Sequence, residues 1–293
     1  MHVFITGATG LIGSAVVAEL ISAGHSVTAL TRSEASEAKA AAAGADTVRG
    51  TLVDLDVLRA SAQQADGVIH LAFGNDFSSA EALTRNIAEE SAALAALGEA
   101  LVGTGKPLVT VSGTPWIPGR ASTEHDPLPT DGPVGGRGVT VNRTLDLASR
   151  GVRASAIRLP RTVHNDGEGG FAGLLTGVAR ESGVAGYPGD GSQRWPAVHA
   201  LDAAVLFRLA LEGAPAGSAW HAVADEGDTV LDIVTVIGRR LGLPVASRAV
   251  EDFGPIGPVF ATDQPASSAR TRAELGWEPT HPSLLVDLER LES

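Results

Sequence analysis

The first thirteen residues constrain the fold most strongly. The chain begins with Met-His-Val-Phe-Ile-Thr-Gly-Ala-Thr-Gly-Leu-Ile-Gly, a short apolar strand followed by three glycines spaced three residues apart. Gly7 allows a tight turn, Gly10 lets the backbone approach a pyrophosphate, and Gly13 lets the next helix pack close to the strand. An amphipathic helix over 11–23 and a strand over 26–30 follow. This order predicts a dinucleotide phosphate site at a helix N-terminus. The alternative is a glycine-rich loop that binds no ligand.

The composition describes an acidic chain of ordinary hydrophobicity. Its 293 residues, 44% hydrophobic and 19% charged, suffice for one large domain or two smaller ones. A net charge of −12 argues against a nucleic-acid partner, and the absence of cysteine excludes disulfides and thiolate metal sites. No apolar run approaches the roughly 20 residues of a membrane span, and no basic leader precedes the first strand. We therefore expect a cytoplasmic protein with no membrane partner.

Apolar strands alternate with amphipathic helices through the first 160 residues. The predicted strands are 2–6, 26–30, 47–49, 67–72, 107–112 and 154–159. The predicted helices are 11–23, 34–43, 55–64, 80–103 and 138–150. Strands separated by helices indicate an α/β fold with a doubly wound parallel sheet of the Rossmann type. The apolar stripe of helix 80–103 would pack on this sheet or, alternatively, form the seam of a homodimer.

The pattern changes after Pro160, where glycine, proline and aspartate interrupt the periodicity. The helices predicted here are 170–181, 201–212 and 229–241, and residues 219–224 could add a strand to the sheet. We therefore divide the chain into a dinucleotide-binding domain over 1–160 and a smaller C-terminal substrate-binding cap over 161–293, with parts returning to the sheet. Such a cap would cover the C-terminal strand ends, where open α/β sheets bind ligands.

Seven short motifs follow one another along essentially the whole chain. They are Thr6-Gly-Ala-Thr-Gly-Leu-Ile-Gly13, Asp54-Leu55, Val68-Ile-His-Leu-Ala-Phe73, Val109-Thr-Val-Ser-Gly-Thr114, Ile157-Arg-Leu-Pro160, Trp195-Pro-Ala-Val-His-Ala-Leu-Asp202 and Leu275-Gly-Trp-Glu-Pro279. In this order they resemble the short-chain dehydrogenase/reductase superfamily, in its extended or atypical epimerase-like branch. The first motif is specific to that branch, and the others gain their weight from occurring together.

The resemblance implies a nicotinamide cofactor. The residues implied to bind it are Gly7, Thr9, Gly10, Leu11, Ile12, Gly13, Asp54, Leu55, Leu71, Ala72, Phe73, Ser112 and Leu159. Asp54 would lie near the adenine, while residues 159–163 would lie near the nicotinamide. Asp54 has an alternative role that is compatible with the first, because it directly precedes a predicted helix and has the residue type of an N-cap.

The residues after the second strand favour NADP(H) over NAD(H). An NAD enzyme usually has Asp or Glu there to bind the ribose 2′-hydroxyl, whereas this chain has Thr31-Arg32-Ser33. Arg32 offers a planar guanidinium to a 2′-phosphate, and Ser33 offers a further donor. The alternative is that Arg32 is only a solvated side chain at the end of a strand.

The catalytic pair of the resembled family is missing. There, a tyrosine exchanges a proton with the substrate oxygen, and a lysine four residues later lowers its pKa and holds the ribose. A Ser or Thr from strand five assists, and Thr114 fits that position with Ser112 close by. Val139 stands at the tyrosine position and Arg143 at the lysine position. Because arginine keeps its charge, Arg143 can hold ribose or phosphate but cannot exchange protons.

Another group must therefore protonate a developing alkoxide, or bound water must do so. His164 follows strand six and has an unperturbed pKa of about 6.5. Tyr187 is the sole tyrosine, and Asp76 follows strand four. The alternatives are a local hydrogen-bonding role for His164 and an aromatic lining role for Tyr187.

Other chemistries find little support in the sequence. We predict no metal site, because histidine and glutamate lack the usual ligand spacing. Ser112 lacks the preceding glycine of a hydrolase nucleophile elbow. The leading hypothesis is an NADPH-dependent reductase of a carbonyl, C=N or C=C group on a mainly apolar small molecule. The alternatives are a non-catalytic NADP(H)-binding sensor or regulatory protein, and a non-redox lyase, cyclase or isomerase.

Overall fold

The computed structural model describes residues 1–291, and its largest element is a seven-stranded parallel sheet. Its first six strands are β1 (His2–Thr6), β2 (Ser26–Thr31), β3 (Asp46–Arg49), β4 (Gly67–His70), β5 (Pro107–Gly113) and β6 (Arg153–Leu159). The helices between them are α1 (Leu11–Ser22), α2 (Glu34–Ala42), α3 (Leu55–Gln64), α4 (Ala80–Leu101) and α5 (Gly135–Asp146). These elements confirm the predicted α/β class.

Later elements form the rest of the chain. They are β7 (Thr162–His164), α6 (Gly170–Ser182), β8 (Ala185–Pro188), β9 (Arg194–His199), α7 (Ala200–Gly213), β10 (Ser218–His221), β11 (Asp225–Thr229), α8 (Val230–Leu241), β12 (Val245–Arg248), α9 (Gly257–Phe260), α10 (Ala269–Leu275) and α11 (Leu284–Asp287). The strand order of the large sheet is β10-β6-β5-β4-β1-β2-β3, so β10 returns to it. A three-stranded sheet, β11-β9-β7, and a pair, β12-β8, complete the structure.

Both faces of the large sheet are buried, because alternate residues of each strand point to opposite sides. Val3 and Ile5 of β1 join one core with α1 and α7, while Phe4 joins the other core with α3 and α4. The apolar stripe of α4 packs on its own sheet through Leu97 and Leu101. None of the helices within residues 1–291 is long and apolar enough to cross a membrane.

Helix α5 begins at residue 135, three residues before the predicted start at 138. Its first turn packs tightly against the preceding loop. A Cβ at Gly138 would lie 2.0 Å from the carbonyl oxygen of Pro129, and a Cβ at Gly135 would lie 2.6 Å from Thr130. The two glycines therefore permit an approach that a larger residue would prevent, and they place Arg137 in the first turn of the helix.

A second core lies among the elements after β6. It contains the side chains of Trp195, Ile233, Phe260 and Leu284, which come from β9, α8, α9 and α11. Helix α7 and strand β10, by contrast, pack with the large sheet. The C-terminal elements therefore form a smaller layer that adjoins the C-terminal ends of β5 and β6.

Candidate functional site

A cleft of about 380 Å³ lies over the C-terminal ends of β1, β4, β5 and β6. Among its lining residues are nine that the sequence predicts to bind a cofactor. These nine are Gly7, Gly10, Leu11, Ile12, Gly13, Leu71, Phe73, Ser112 and Leu159. Val111, Gly113, Arg137 and Pro160 complete the lining. The cleft therefore brings together the glycine motif and the ends of three further strands.

The glycine motif forms a cradle that requires glycine at its first and third positions, Gly7 and Gly13. Gly7 has φ +76°, and a Cβ there would lie 2.8 Å from the backbone nitrogen of Ala72. A Cβ at Gly13 would lie 2.0 Å from the carbonyl oxygen of Gly7. Helix α1 starts after Gly10, which offers no side-chain cap, and its first turn contains no acidic residue. The free N–H groups of this turn and the helix dipole fit the phosphates of a dinucleotide.

Two cations lie at the outer end of this cradle. Arg32 is exposed, and no hydrogen bond or ion pair joins it to another residue of the described chain. Lys39 of α2, which the sequence analysis missed, donates a hydrogen bond of 2.8 Å to the carbonyl oxygen of Thr9. Ser33 is the N-cap of α2, and its side chain exchanges hydrogen bonds with Ser36. The arrangement leaves Arg32 free to bind a phosphate.

Asp54 and Leu55 lie apart from the cleft lining, in an exposed surface depression at the start of α3. The Asp54 carboxylate accepts hydrogen bonds of 2.8 and 2.7 Å from the Thr51 side chain and backbone, which lower its pKa. It makes no side-chain cap bond to α3. The structure thus does not show the direct N-cap contact that its position suggested.

Two hydroxyls at the end of β5 are buried and free. Within residues 1–291, neither Ser112 Oγ nor Thr114 Oγ1 has a hydrogen-bond partner. The backbone of Thr114 is fixed on both sides, because its N–H donates to Leu159 O at 2.9 Å and its carbonyl accepts from Gln264 at 2.7 Å. Buried polar atoms are rarely left unpaired. These two hydroxyls are therefore suited to contact a bound ligand.

Helix α5 presents a different arginine to the cleft from the one predicted. Arg137 donates two hydrogen bonds, of 2.9 and 2.8 Å, to the buried carboxylate of Glu90. Its guanidinium carbon lies 4.3 Å from the ring centroid of Phe73. Arg143 is exposed and lines a separate groove between α4 and α5. Arg143 thus lies outside the cleft lining, and its place beside the cofactor stays a prediction.

His164 is buried away from the cleft lining. Its Nδ1 lies 2.8 Å from Asp287 Oδ2, and its ring meets the edge of His199 at 5.3 Å. Burial raises the pKa of Asp287, but hydrogen bonds from His164 and the Gly167 N–H outweigh it, and the net shift is downward. In this position His164 supports the C-terminal helix rather than facing the lined cleft.

Ligand atoms of His164, His199 and Asp287 lie within 4.8 Å of one another, close enough to hold a metal ion. No spacing pattern in the sequence predicts this cluster, because its members come from elements that are far apart in the chain. His199 Nδ1 already accepts a hydrogen bond of 3.2 Å from the Leu201 N–H, and Asp287 Oδ2 accepts one of 3.0 Å from the Gly167 N–H. These bonds favour a hydrogen-bonded cluster.

Tyr187 and Asp76 also lie outside the cleft lining. Tyr187 belongs to β8, in the small sheet with β12, and packs against the second core. Asp76 is exposed and accepts hydrogen bonds of 2.6 and 3.1 Å from the Ser78 side chain and backbone, which lower its pKa. A lowered pKa keeps this carboxyl ionised, so it is poorly suited to donate a proton near neutrality.

Comparisons with known proteins agree with this geometry. The model described as "NAD dependent epimerase/dehydratase family" matches residues 3–222. An uncharacterized protein of Schizosaccharomyces pombe is 45% identical over 294 residues, with 98% of each chain covered. A 3-diazoavenalumate denitrifying reductase of a Streptomyces species is 28% identical over 313 residues, with 97% of each chain covered. The solved UDP-glucose 4-epimerase of Thermotoga maritima, in complex with UDP-glucose, has a TM-score of 0.80 at 20% identity, covering 99% of this chain and 97% of that chain. This last likeness shows a shared fold.

Proposed function

The chain belongs to the NAD-dependent epimerase/dehydratase family, and we propose that it is an NADPH-dependent reductase of a carbonyl, C=N or C=C group on a mainly apolar small molecule. The observation that carries this proposal is the cleft itself. It joins an intact phosphate cradle to the free Ser112 hydroxyl, two residues before the free hydroxyl of Thr114, and much of its remaining lining is apolar. The relative named as a reductase supports reductive chemistry on this fold.

The choice of NADPH rests on the residues after β2. Thr31-Arg32-Ser33 contains no carboxylate to accept a bond from a ribose 2′-hydroxyl. Arg32 has no partner within the described chain, and Lys39 already reaches the cradle. Arg32 would bind the 2′-phosphate with its planar fork, and Lys39 would add a second positive charge.

Different residues in and beside the cleft would have different roles in the reduction. A bound nicotinamide would supply the hydride. Thr114 would donate its hydroxyl hydrogen bond to the substrate oxygen, and Arg137 would stabilise negative charge or hold ribose hydroxyls. Neither residue is a ready net proton source, and His164 and Tyr187 lie outside the lining. Solvent water would therefore supply the proton, with Ser112 and Thr114 orienting it.

A second candidate function is favoured by Val139. No phenol lines the cleft within the described chain, and valine stands where the family's tyrosine belongs. A protein that binds NADP(H) without turnover, as a sensor of its redox state, would need only the cradle. A partner that binds the NADP+ form and not the NADPH form would favour this role over the reductase.

The first test is a fluorescence titration with NADPH and NADH. We expect NADPH to bind more tightly, and Arg32→Ala to weaken NADPH about tenfold while leaving NADH unchanged, because only NADPH has the 2′-phosphate. Arg239→Ala, at an exposed arginine of α8, is the matched control. Equal loss for both cofactors would contradict the role of Arg32. Binding of neither would contradict the reductase itself, and binding without turnover of aldehydes, ketones, imines or enones would favour the sensor.

A further inference from the structure

Arg161 is a largely buried cation without a counter-ion. It follows Pro160, at the point where the chain leaves β6 for β7. Its guanidinium carbon lies 5.2 Å from the ring centroid of Phe171 and 5.7 Å from that of Trp195. No hydrogen bond or ion pair connects its side chain to any other residue in the described part of the chain. Burial lowers the pKa of Arg161 to about 10, and no nearby carboxylate opposes that shift.

Other inward-facing arginines near the sheet all have partners. Arg137 is paired with Glu90, and Arg153 donates to carbonyl oxygens at the end of α7. Arg158, three residues before Arg161, donates to the carbonyl oxygen of Asp126 at 2.7 Å. Unpaired burial of a charge is strongly unfavourable, so a folded protein normally supplies a partner. Arg161 is the exception in this set, because its guanidinium has no such partner in the described chain.

Arg161 lies just beyond the cleft lining in the chain. Its Nε is sealed from solvent without a partner, whereas its two Nη atoms keep access to solvent. The preceding Pro160 lines the cleft, and the carbonyl oxygen of Leu159 beside it accepts the backbone hydrogen bond of Thr114. The guanidinium and the free Thr114 hydroxyl are thus carried on adjoining ends of neighbouring strands.

We propose that Arg161 binds a carboxylate group of the substrate, while the rings of Phe171 and Trp195 hold the guanidinium plane. This proposal rests on the proposed reductase function and narrows its substrate to small molecules that combine an apolar body with a carboxylate. One planar guanidinium matches the single charge and two oxygens of a carboxylate. A phosphate dianion would require a second cation. Arg194, which directly precedes Trp195 in the chain, is already paired with Asp263 at 2.9 Å.

Calorimetric titrations of the full chain with benzoate, its uncharged analogue benzamide and inorganic phosphate test this assignment. With NADPH present, we expect benzoate to bind about tenfold more tightly than benzamide, the difference of one charge-assisted contact. Arg161→Gln should abolish that preference, Arg161→Lys should retain part of it, and Arg239→Gln should leave it unchanged. A preference that survives in Arg161→Gln would overturn the proposal, as would tighter binding of phosphate than of benzoate.

Thermal unfolding separates a binding role from a structural one. Without ligand, Arg161→Gln should have a Tm equal to or above that of the wild type, because the change removes an unpaired buried charge. A lower Tm would assign Arg161 a structural role and contradict the proposal. Benzoate preference without hydride transfer would overturn the reductase and leave the carboxylate site standing. Hydride transfer at the same rate to substrates with and without a carboxylate would support the reductase and overturn the carboxylate site.

Discussion

The cleft over the large sheet and the proposed carboxylate pocket at Arg161 are built from different parts of the chain. Gly7, Gly10 and Gly13, all from one short segment, shape the phosphate end of the cleft. The pocket consists of side chains that are distant in sequence, with Phe171 from α6 and Trp195 from β9 around the guanidinium. One is made by backbone geometry and the other by tertiary packing.

This difference separates what is general in the site from what is particular. A backbone cradle at a helix N-terminus binds any dinucleotide phosphate, because the contacts come from N–H groups that every residue has. A single unpaired guanidinium recognises one kind of group and depends on the residue type at one position. The cleft therefore indicates the cofactor class, whereas the pocket would select the substrate.

The largest effect is expected where the cradle is tightest. Gly13→Ala would place a Cβ 2.0 Å from the carbonyl oxygen of Gly7, so the turn must open. We expect the free energy of unfolding to fall by about 4 kcal/mol or more, with loss of NADPH binding. Urea unfolding and fluorescence titration measure the two effects. In the control, Gly173→Ala, the added Cβ meets no atom within 4 Å in α6, so stability should rise by about 0.5 kcal/mol. Normal NADPH affinity in Gly13→Ala would break the comparison, since the cradle would then not depend on backbone geometry.

Local signals explain why the sheet layer could be predicted. Each of the six predicted strands recurs with both ends within two residues of the prediction, because apolar runs bounded by turns are visible in a short window. The short strands after β6 lack such a signal. The β8 segment reads Ala-Gly-Tyr-Pro and pairs with β12, which begins at residue 245. Its pairing depends on contacts that a short window does not contain.

In the candidate site, the residues that could be predicted are those at the ends of predicted strands. The glycine motif and Ser112, which line the cleft, could be singled out because each occupies the end of a predicted strand. Arg137 was missed because the predicted helix began at 138, which left that arginine in a loop. The orientation of the His164 side chain depends on its contact with Asp287, which is far away in the sequence. Arg161 looked ordinary, because the absence of a counter-ion is a property of the folded molecule.

Arg137 and Arg143 belong to the same helix, but Arg137 lines the cleft and Arg143 is exposed on the surface. We expect Arg137→Met to raise the KM for NADPH about tenfold, because the cleft loses its only lining cation among the described residues. The same change leaves the Glu90 carboxylate buried and unpaired, which should cost about 3 kcal/mol of stability. Arg143→Met should change neither value, because that side chain is exposed. Steady-state kinetics and urea unfolding measure both effects.

A second change separates binding from stability at Arg137. Adding Glu90→Gln to Arg137→Met removes the unpaired charge, so most of the lost stability should return while the KM for NADPH stays high. A double variant that regains the wild-type KM would show that Arg137 acts only through folding. A fall in activity with Arg143→Met alone would restore the role that the sequence suggested for Arg143.

The buried histidines extend the comparison to acid stability. His70, at the end of β4, is fully buried, and its ring nitrogen Nδ1 lies 2.9 Å from Thr6 Oγ1. Burial, with a smaller contribution from the Arg137 charge, lowers its pKa to about 3. His164 of the second layer is instead paired with Asp287. The sheet layer thus contains a histidine that must stay neutral, whereas the second layer places a carboxylate beside its own.

This difference predicts how the sheet layer responds to acid. As pH falls below about 6.5, the unfolded chain protonates His70 while the folded chain does not, so folding stability falls until pH reaches about 3. From pH 7.5 to pH 5, this one group should cost about 2 kcal/mol. His70→Asn keeps a polar partner for Thr6 and should reduce the wild-type loss by that amount in urea unfolding, with His125→Asn as the control at an exposed histidine. An undiminished loss in His70→Asn would show that burial of His70 is not the source of the acid sensitivity.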